Sequence, residues 1–387
     1  MLPKFFRKTP LAWHQLMKQK IRLSVAIAGI AFADILIFFQ LGILDSLLDG
    51  SAKSHQILQG DLVLVNSQFQ TLFLVKDFPR ERLQQTLAYD GVESVSPVYI
   101  KFAQWRNPQT QLSRSILVWG IDPVNSPFSF PEIKDNQSQL QLLGNVLFDQ
   151  GSRPEYGTIP DLLKEQEKVE IQINEKTVNV IGLFNIGASF VTDGNVIMSD
   201  STFLNLFPNQ QPNDISVGLI KLKAGTDIKA IQAQMIANLP KDVKVVTPSQ
   251  LAQNEIDYWT TQGIGFIFEL GVMVGFIVGV VIVYQILYSD VSDHLPEYAT
   301  LKAMGYSDGY LLGVLMQSAL LLAILGYIPG FVLSLGLYQV GSVATQLPIM
   351  MKVSRALIVL VLTIIMCAIS GVIAMNKLRL ADPADIF

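Results

Sequence analysis

The chain has 387 residues, 50% of them hydrophobic and only 16% charged, with a mean hydropathy of +0.39. That is too apolar for an ordinary water-soluble protein and makes residence in a membrane the first expectation. A net charge of −4 without a basic stripe argues against nucleic acid as a partner, the lone Cys367 excludes an intrachain disulfide, and His14, His55 and His294 stand too far apart to promise a metal site.

At the amino end, Thr9 and Pro10 form a helix-start pair, with Thr9 as N-cap and Pro10 at the first helical position. Beyond them Trp13, Leu16, Met17 and Ile21 share one face, and His14, Gln15, Lys18, Gln19 and Arg22 the other. Residues 1–22 therefore read as an interfacial elbow helix, with a plain basic tail as the alternative. Lys4, Arg7, Lys8, Lys18, Lys20 and Arg22 carry no acidic companion, and positive charge beside a span stays cytoplasmic. The apolar run that follows is too long for a signal-peptide core and lacks a cleavage site, so it reads as an uncleaved anchor.

Four apolar runs, at 23–44, 263–288, 311–340 and 356–375, each hold the ~20 residues needed to cross a hydrocarbon core of ~30 Å. Counting crossings from a cytoplasmic amino end puts residues 45–262 in the periplasm, 289–310 inside, 341–355 outside as a short loop, and 376–387 inside as a tail. The expected location is the inner (plasma) membrane. Lys377 and Arg379 agree with this orientation, whereas Lys352 and Arg355 sit on the side it calls external.

Span one contains Asp34 near its middle. Its thirteen Leu, Ile, Val and Phe residues, at about −0.3 to −0.6 kcal/mol each, outweigh the ~3 kcal/mol penalty of one central acid. Asp34 should face protein, as a structural hydrogen-bonding residue, with a proton-linked site or a dimer contact as alternatives. Small residues recur every four positions as Gly29 with Ala33, as Gly271, Gly275 and Gly279, and as Gly326, Gly330 and Ser334, with Pro329 a candidate kink. That spacing lets helix backbones approach closely, either between spans of one chain or across a homodimer seam, although glycine is also simply common in spans.

The segment 45–262 mixes strands and helices. Strands are expected at 61–65, 91–100, 115–121, 217–222 and 243–246, helices at 79–89 and 227–239, and a hairpin at 169–184 turning on Asn174-Glu175. The reading is a small α+β unit built from both ends of the segment, with a second subdomain inserted at about 123–213. Helical rhythm in Leu44, Leu47 and Leu48, and in Leu251, Ile256 and Trp259 behind Ser249 as N-cap, points to a helical stalk at both ends, or to amphipathic turns lying on the membrane.

No phosphate-binding loop, GxGxxG turn or GxSxG elbow is present, so any energy must come from a partner. The segment meeting that partner is the loop 289–310. Pro296 ends the preceding helix, a short helix runs from Glu297 to Met304 with Gly305 as its C-cap, and Ser307 caps the next. A charged, capped helix held between two spans suits transmission of force. Glu297, Tyr298, Leu301, Lys302, Met304 and Gly305 are the residues expected to couple.

The run HLPEYATLKAMGYSDGYLL from His294 resembles the cytoplasmic coupling segment of the DevC family of cyanobacterial ABC-transporter permeases, within the FtsX/MacB/LolC-type superfamily. TPLAWHQLMKQKIRL from Thr9, AGIAFADILIFFQLG from Ala28, GVESVSPVY from Gly91, GFIVGVVIVYQILYSDVSDHLPEYATLKAMGY from Gly275 and ADPADIF from Ala381 extend the likeness over the whole chain. The resemblance implies a fold of four transmembrane helices plus an α+β periplasmic domain between helices 1 and 2, of the MacB/FtsX-like, type VII ABC kind. It implies a non-catalytic permease that holds no cofactor, working as a homodimer in membrane lipid over a separate DevA-like ATPase that uses ATP and Mg. It further implies a DevB-like, HlyD-type membrane-fusion protein and a TolC-like outer-membrane channel, exporting a glycolipid or other cargo. An FtsX-like mechanotransmitter that switches a periplasmic hydrolase is the alternative. A ligand-sensing receptor would want a cytoplasmic output domain, for which the short inside segments leave no room.

Overall fold

The computed structural model describes residues 20–189, 191–345 and 347–380. Residues 1–19 of the expected elbow helix and the terminal ADPADIF segment lie outside the described residues. The chain divides into two units: Leu47–Gln262, and the stretch up to Ser46 together with that from Gly263 onward.

The second of these holds four helices long and apolar enough to cross a membrane: span one in Lys20–Gln56, span two in Ile264–Asp293, span three in Asp308–Thr345 and span four in Val353–Leu380. Together they make this a multi-pass membrane protein. Span one buries a stripe of Ala26, Ile30, Ala33 and Ile37, spaced four, three and four residues apart, as one face of a helix requires. Phe266, Ile267, Leu270, Val274, Ile277 and Val281 of span two are exposed in the single chain, a surface suited to lipid tails. A shorter helix, Leu295–Ala303, lies in the loop between spans two and three.

Leu47–Gln262 is built on a nine-stranded sheet in the order β11-β1-β10-β3-β4-β8-β5-β7-β6. The strands are β1 (Leu62–Asn66), β2 (Phe78–Pro79), β3 (Val92–Arg106), β4 (Ser113–Ile121), β5 (Asn145–Asp149), β6 (Val169–Ile173), β7 (Lys176–Phe184), β8 (Asn195–Ser199), β9 (Asp214–Ile215), β10 (Val217–Leu222) and β11 (Val243–Val246), with β2 and β9 pairing apart. β3 organises the unit. Its first half, to Val98, pairs antiparallel with β10, and its second half, from Tyr99, pairs with β4. At its far end Trp105 and Arg106 also meet Ile173 and Gln172 of β6, so strands β3, β4, β8, β5, β7 and β6 close on themselves. Closure removes the sheet edges that would otherwise offer unpaired backbone groups. Fully buried Trp105, Trp119, Tyr156 and Phe184 fill the two cores on either face.

An α+β unit is thus present, and its strand partners change within β3 near Tyr99, whereas the sequence reading places the start of an inserted subdomain at about 123. A single long strand serves both parts, and no turn marks where its partners change. The hairpin turns at Asn174 (φ 48) and Glu175 (φ 64), the pair of positive dihedrals a two-residue hairpin needs. The cap expected at Ser249 belongs to Thr247: its Oγ1 accepts from Gln250 N at 3.2 Å, and Gln250 Oε1 accepts from Thr247 N at 2.9 Å. Pro248 then fills the first helical position, which leaves Ser249 inside the helix Pro248–Thr261. That helix ends before Gly263, which is left-handed (φ 91), and a new one starts at Ile264, whereas the helix of span one runs unbroken to Gln56.

Candidate functional site

The loop helix Leu295–Ala303 is bounded on both sides by residues that enforce its ends. Pro296 occupies its first turn, where a missing N–H costs nothing. At the other end Gly305 (φ 91) donates its N–H to Lys302 O at 2.9 Å and Tyr306 N donates to Leu301 O at 3.1 Å. These are the two bonds of a Schellman cap, and the positive φ at Gly305 is what an L side chain would resist. Ser307 opens span three, its carbonyl accepting from Tyr310 N at 2.9 Å.

The helix has an inner and an outer face. Tyr298 is 3% exposed and belongs to the core cluster of the bundle that also holds Val291, Leu311, Leu315 and Met375, with Leu295 and Leu301 partly buried against that cluster. Burial pushes the Tyr298 phenol above its ordinary range. Tyr298 therefore anchors the helix to the bundle and does not face outward as a contact residue. Lys302 is partly buried, with Nζ 3.4 Å from Asp308 Oδ1 across the cap. Glu297, Met304 and Gly305 are exposed. So are Tyr306 and Tyr310, whose rings lie 4.8 Å apart. The arrangement offers an acidic, aromatic and thioether surface on a rigid support. It contains no nucleophile-and-base constellation, and among the described residues no three His, Cys, Asp or Glu side chains could together hold a metal ion.

Of the small residues singled out in the spans, Gly29, Ala33, Gly271, Gly275, Gly279, Gly326 and Gly330 sit at helix contacts within this one chain. A Cβ added to Gly29 would lie 2.5 Å from Ile282 Cγ2, and one on Gly271 would lie 2.6 Å from Gln40 Cδ. Gly275 meets Ile37 and Gly279 meets Met366 and Ala33, while Gly326 and Gly330 lie against Ile30 and Asp34. Asp34 is fully buried, and its Oδ1 lies 2.7 Å from Thr363 Oγ1 of span four.

Sequence reasoning missed a second polar cluster. Arg355, 3% exposed, donates from Nη2 and Nε to Asp45 Oδ2 at 2.6 and 3.2 Å, and from Nη1 to Tyr338 Oη and Met350 O, each at 3.1 Å. Tyr338 in turn donates to the Phe38 carbonyl. Lys352 Nζ lies 3.9 Å from the same Asp45 oxygen. The two cations that opposed the expected orientation are therefore committed to one carboxylate, Asp45, just past span one on the same helix. At the opposite ends of spans one and two, Arg22 Nη2 and Asp293 Oδ2 pair at 2.5 Å.

A polytopic bundle interrupted by a capped loop helix, with a mixed α/β unit between its first two spans, defines the class to which the comparisons speak. Residues 270–383, which include that loop, match the model of the FtsX-like permease C-terminal family. An uncharacterised ABC transporter permease of Methanocaldococcus jannaschii is 27% identical over 194 residues, covering 48% of this chain and 47% of the relative. The chain thus spans about half the length of the curated relative it matches. Among solved structures, the periplasmic region of MacB from Actinobacillus actinomycetemcomitans aligns at 13% identity over 51% of this chain and 92% of that chain, with a TM-score of 0.35. The extracellular domain of the noncanonic ABC-type transporter YknZ from Gram-positive bacteria aligns at 16% identity over 44% and 90%, with a TM-score of 0.32.

Proposed function

We propose that this chain is the non-catalytic permease subunit of a DevBCA-like ABC exporter in the plasma membrane, with both termini and loop 289–310 cytoplasmic and residues 45–262 periplasmic. A separate ATPase presses on the outer face of the loop helix, and the spans pass its ATP-driven motion to the periplasmic unit. Cargo, a glycolipid or another molecule, then leaves through a membrane-fusion protein and a TolC-like channel. The observation that carries this reading is the coincidence of the FtsX-like match at 270–383 with the capped helix Leu295–Ala303. The same match favours a second reading, an FtsX-like homodimer that transmits force to a periplasmic hydrolase and moves no cargo.

The test is co-purification with the ATPase and stimulation of its turnover. Glu297→Ala and Lys302→Ala are expected to weaken both while membrane insertion persists. Asp308→Ala removes the 3.4 Å ion pair of Lys302 without removing its charge, and so separates loosening of the loop from loss of contact. Normal stimulation by both Glu297→Ala and Lys302→Ala would remove the role assigned to this helix. Capture of a fusion protein with an outer channel supports export, and capture of a wall hydrolase supports the second reading.

A further inference from the structure

Among the described residues, no cation pairs with Asp34. Its carboxyl is fully buried at the middle of span one, Oδ1 contacts Thr363 Oγ1 at 2.7 Å, and Oδ2 has no hydrogen-bond partner. The groups around it come from all three other spans. Span three places Gly330 so close that an added Cβ would lie 2.9 Å from Asp34 Cβ, and span two meets this stretch of span one with Gly275 and Gly279, which have no side chains. The titratable neighbours are Tyr327 of span three and Cys367 of span four, neither of them cationic. Tyr327 is committed, its hydroxyl donating to Ala356 O at 2.9 Å. Arg355, the one buried cation among the described residues of the bundle, is committed to Asp45.

We infer that Asp34 is a proton-binding site of the packed bundle, occupied when span one is seated against spans three and four. A carboxylate sealed from water, with one oxygen unpartnered and no cation in reach among the described residues, would have only the Thr363 hydroxyl to make its buried charge tolerable. The neutral acid fits the same atoms. Thr363 Oγ1 lies 2.8 Å from Val359 O, so its single proton can go to that carbonyl. The 2.7 Å contact is then bridged by the acid's own proton, donated from Oδ1 to Thr363 Oγ1. Every proton in the chain Asp34–Thr363–Val359 is used, and Oδ2 is left as a neutral carbonyl oxygen. Were Asp34 ionised, Thr363 would have to give its proton to the carboxylate, and Oδ2 would remain a bare anionic oxygen. Proton occupancy is thus linked to packing. Water admitted between the spans releases the proton, and rising pH favours that open form.

The test is infrared difference spectroscopy on the full chain in lipid nanodiscs at neutral pH, comparing wild type with Asp34→Asn. The expected result is loss of one carboxylic-acid C=O band. Loss of carboxylate bands instead, with the acid C=O region unchanged, would overturn the inference. Thr363→Val leaves the acid in place, so it keeps the reading falsifiable if Asp34→Asn does not fold. Without its hydroxyl partner the same C=O band should move in frequency, and a spectrum of Thr363→Val identical to wild type in the acid region would likewise overturn the proposal. A pH series on wild type should show the band weaken as bundle unfolding becomes easier. A band constant while stability falls would break the linkage to packing.

Discussion

Gly326→Ala tests the close approach of spans one and three. A Cβ at Gly326 meets Ile30 Cβ and Cγ2, each at 2.5 Å, whereas carbon atoms settle about 3.5–4.0 Å apart. Rotating Ile30 brings no relief, because its Cβ is fixed to the backbone and the residue is 0% exposed. The helices must part by roughly 1 Å, and overpacking of this kind costs ~1–3 kcal/mol. Gly336 lies in the same helix with nothing within 4 Å of its notional Cβ. Gly336→Ala carries only the propensity gain of up to ~1 kcal/mol that Gly326→Ala shares. The difference between the two variants isolates the clash at ~1–3 kcal/mol, a factor of about 5 or more in the open-to-closed ratio. Cys367, 1% exposed and in the same core cluster as Ile30, supplies the readout through its rate of thiol labelling in micelles. Tryptophan emission would report elsewhere, since the described tryptophans, Trp105, Trp119 and Trp259, all lie outside the spans. Equal labelling rates in Gly326→Ala and Gly336→Ala would refute the packing argument.

Arg355→Ala should speed Cys367 labelling by an amount equivalent to ~1–3 kcal/mol, below the full value of a buried pair because Asp45 is 36% exposed. Arg355→Lys should recover only part, since an ammonium cannot reproduce the contacts to Asp45, Tyr338 and Met350 together. Thr247→Ala removes a capping box and should destabilise the helix Pro248–Thr261 by ~1 kcal/mol, followed in denaturant through Trp259 emission. Burial holds the Asp149 carboxyl above the usual carboxylate range, although the N–H groups of Gly151, Ile186 and Gly187 and the Asn195 amide pull it back. A folded state that binds this proton more tightly than the unfolded chain loses stability as pH rises from about 4 through the raised value. The denaturation midpoint should fall over that window, and Asp149→Asn should flatten the slope.

The spans, the hairpin and the loop helix were legible because their signals are local: run length, a two-residue turn, and a glycine that stops a helix. β5 and β8 were not. Both are short and buried along their whole length, so they show none of the alternation that marks a half-exposed strand. β8 also lies parallel to β4, joined through a long connection that no turn chemistry announces. The cap at Thr247 carries a local signal of its own, since Thr247-Pro248 repeats the Thr9-Pro10 pair. At the candidate site, Glu297 and Gly305 could be placed from sequence, but the inward turn of Tyr298 depends on the core cluster it joins, whose other members lie on separate spans. The pairing of Arg355 with Asp45 was beyond reach in principle. It joins residues 310 positions apart, and a lone arginine beside a span reads as an orientation signal until its partner is known.

The proposed function requires the loop helix and the α/β unit to lie on opposite sides of the membrane. Sidedness can be read in a Cys367→Ser chain carrying either Met304→Cys or Leu142→Cys, at positions 63% and 61% exposed, with a membrane-impermeant thiol reagent. In right-side-out vesicles only Leu142→Cys should react, and in inverted vesicles only Met304→Cys. Labelling of both from the same side, or of Met304→Cys from outside alone, would contradict it.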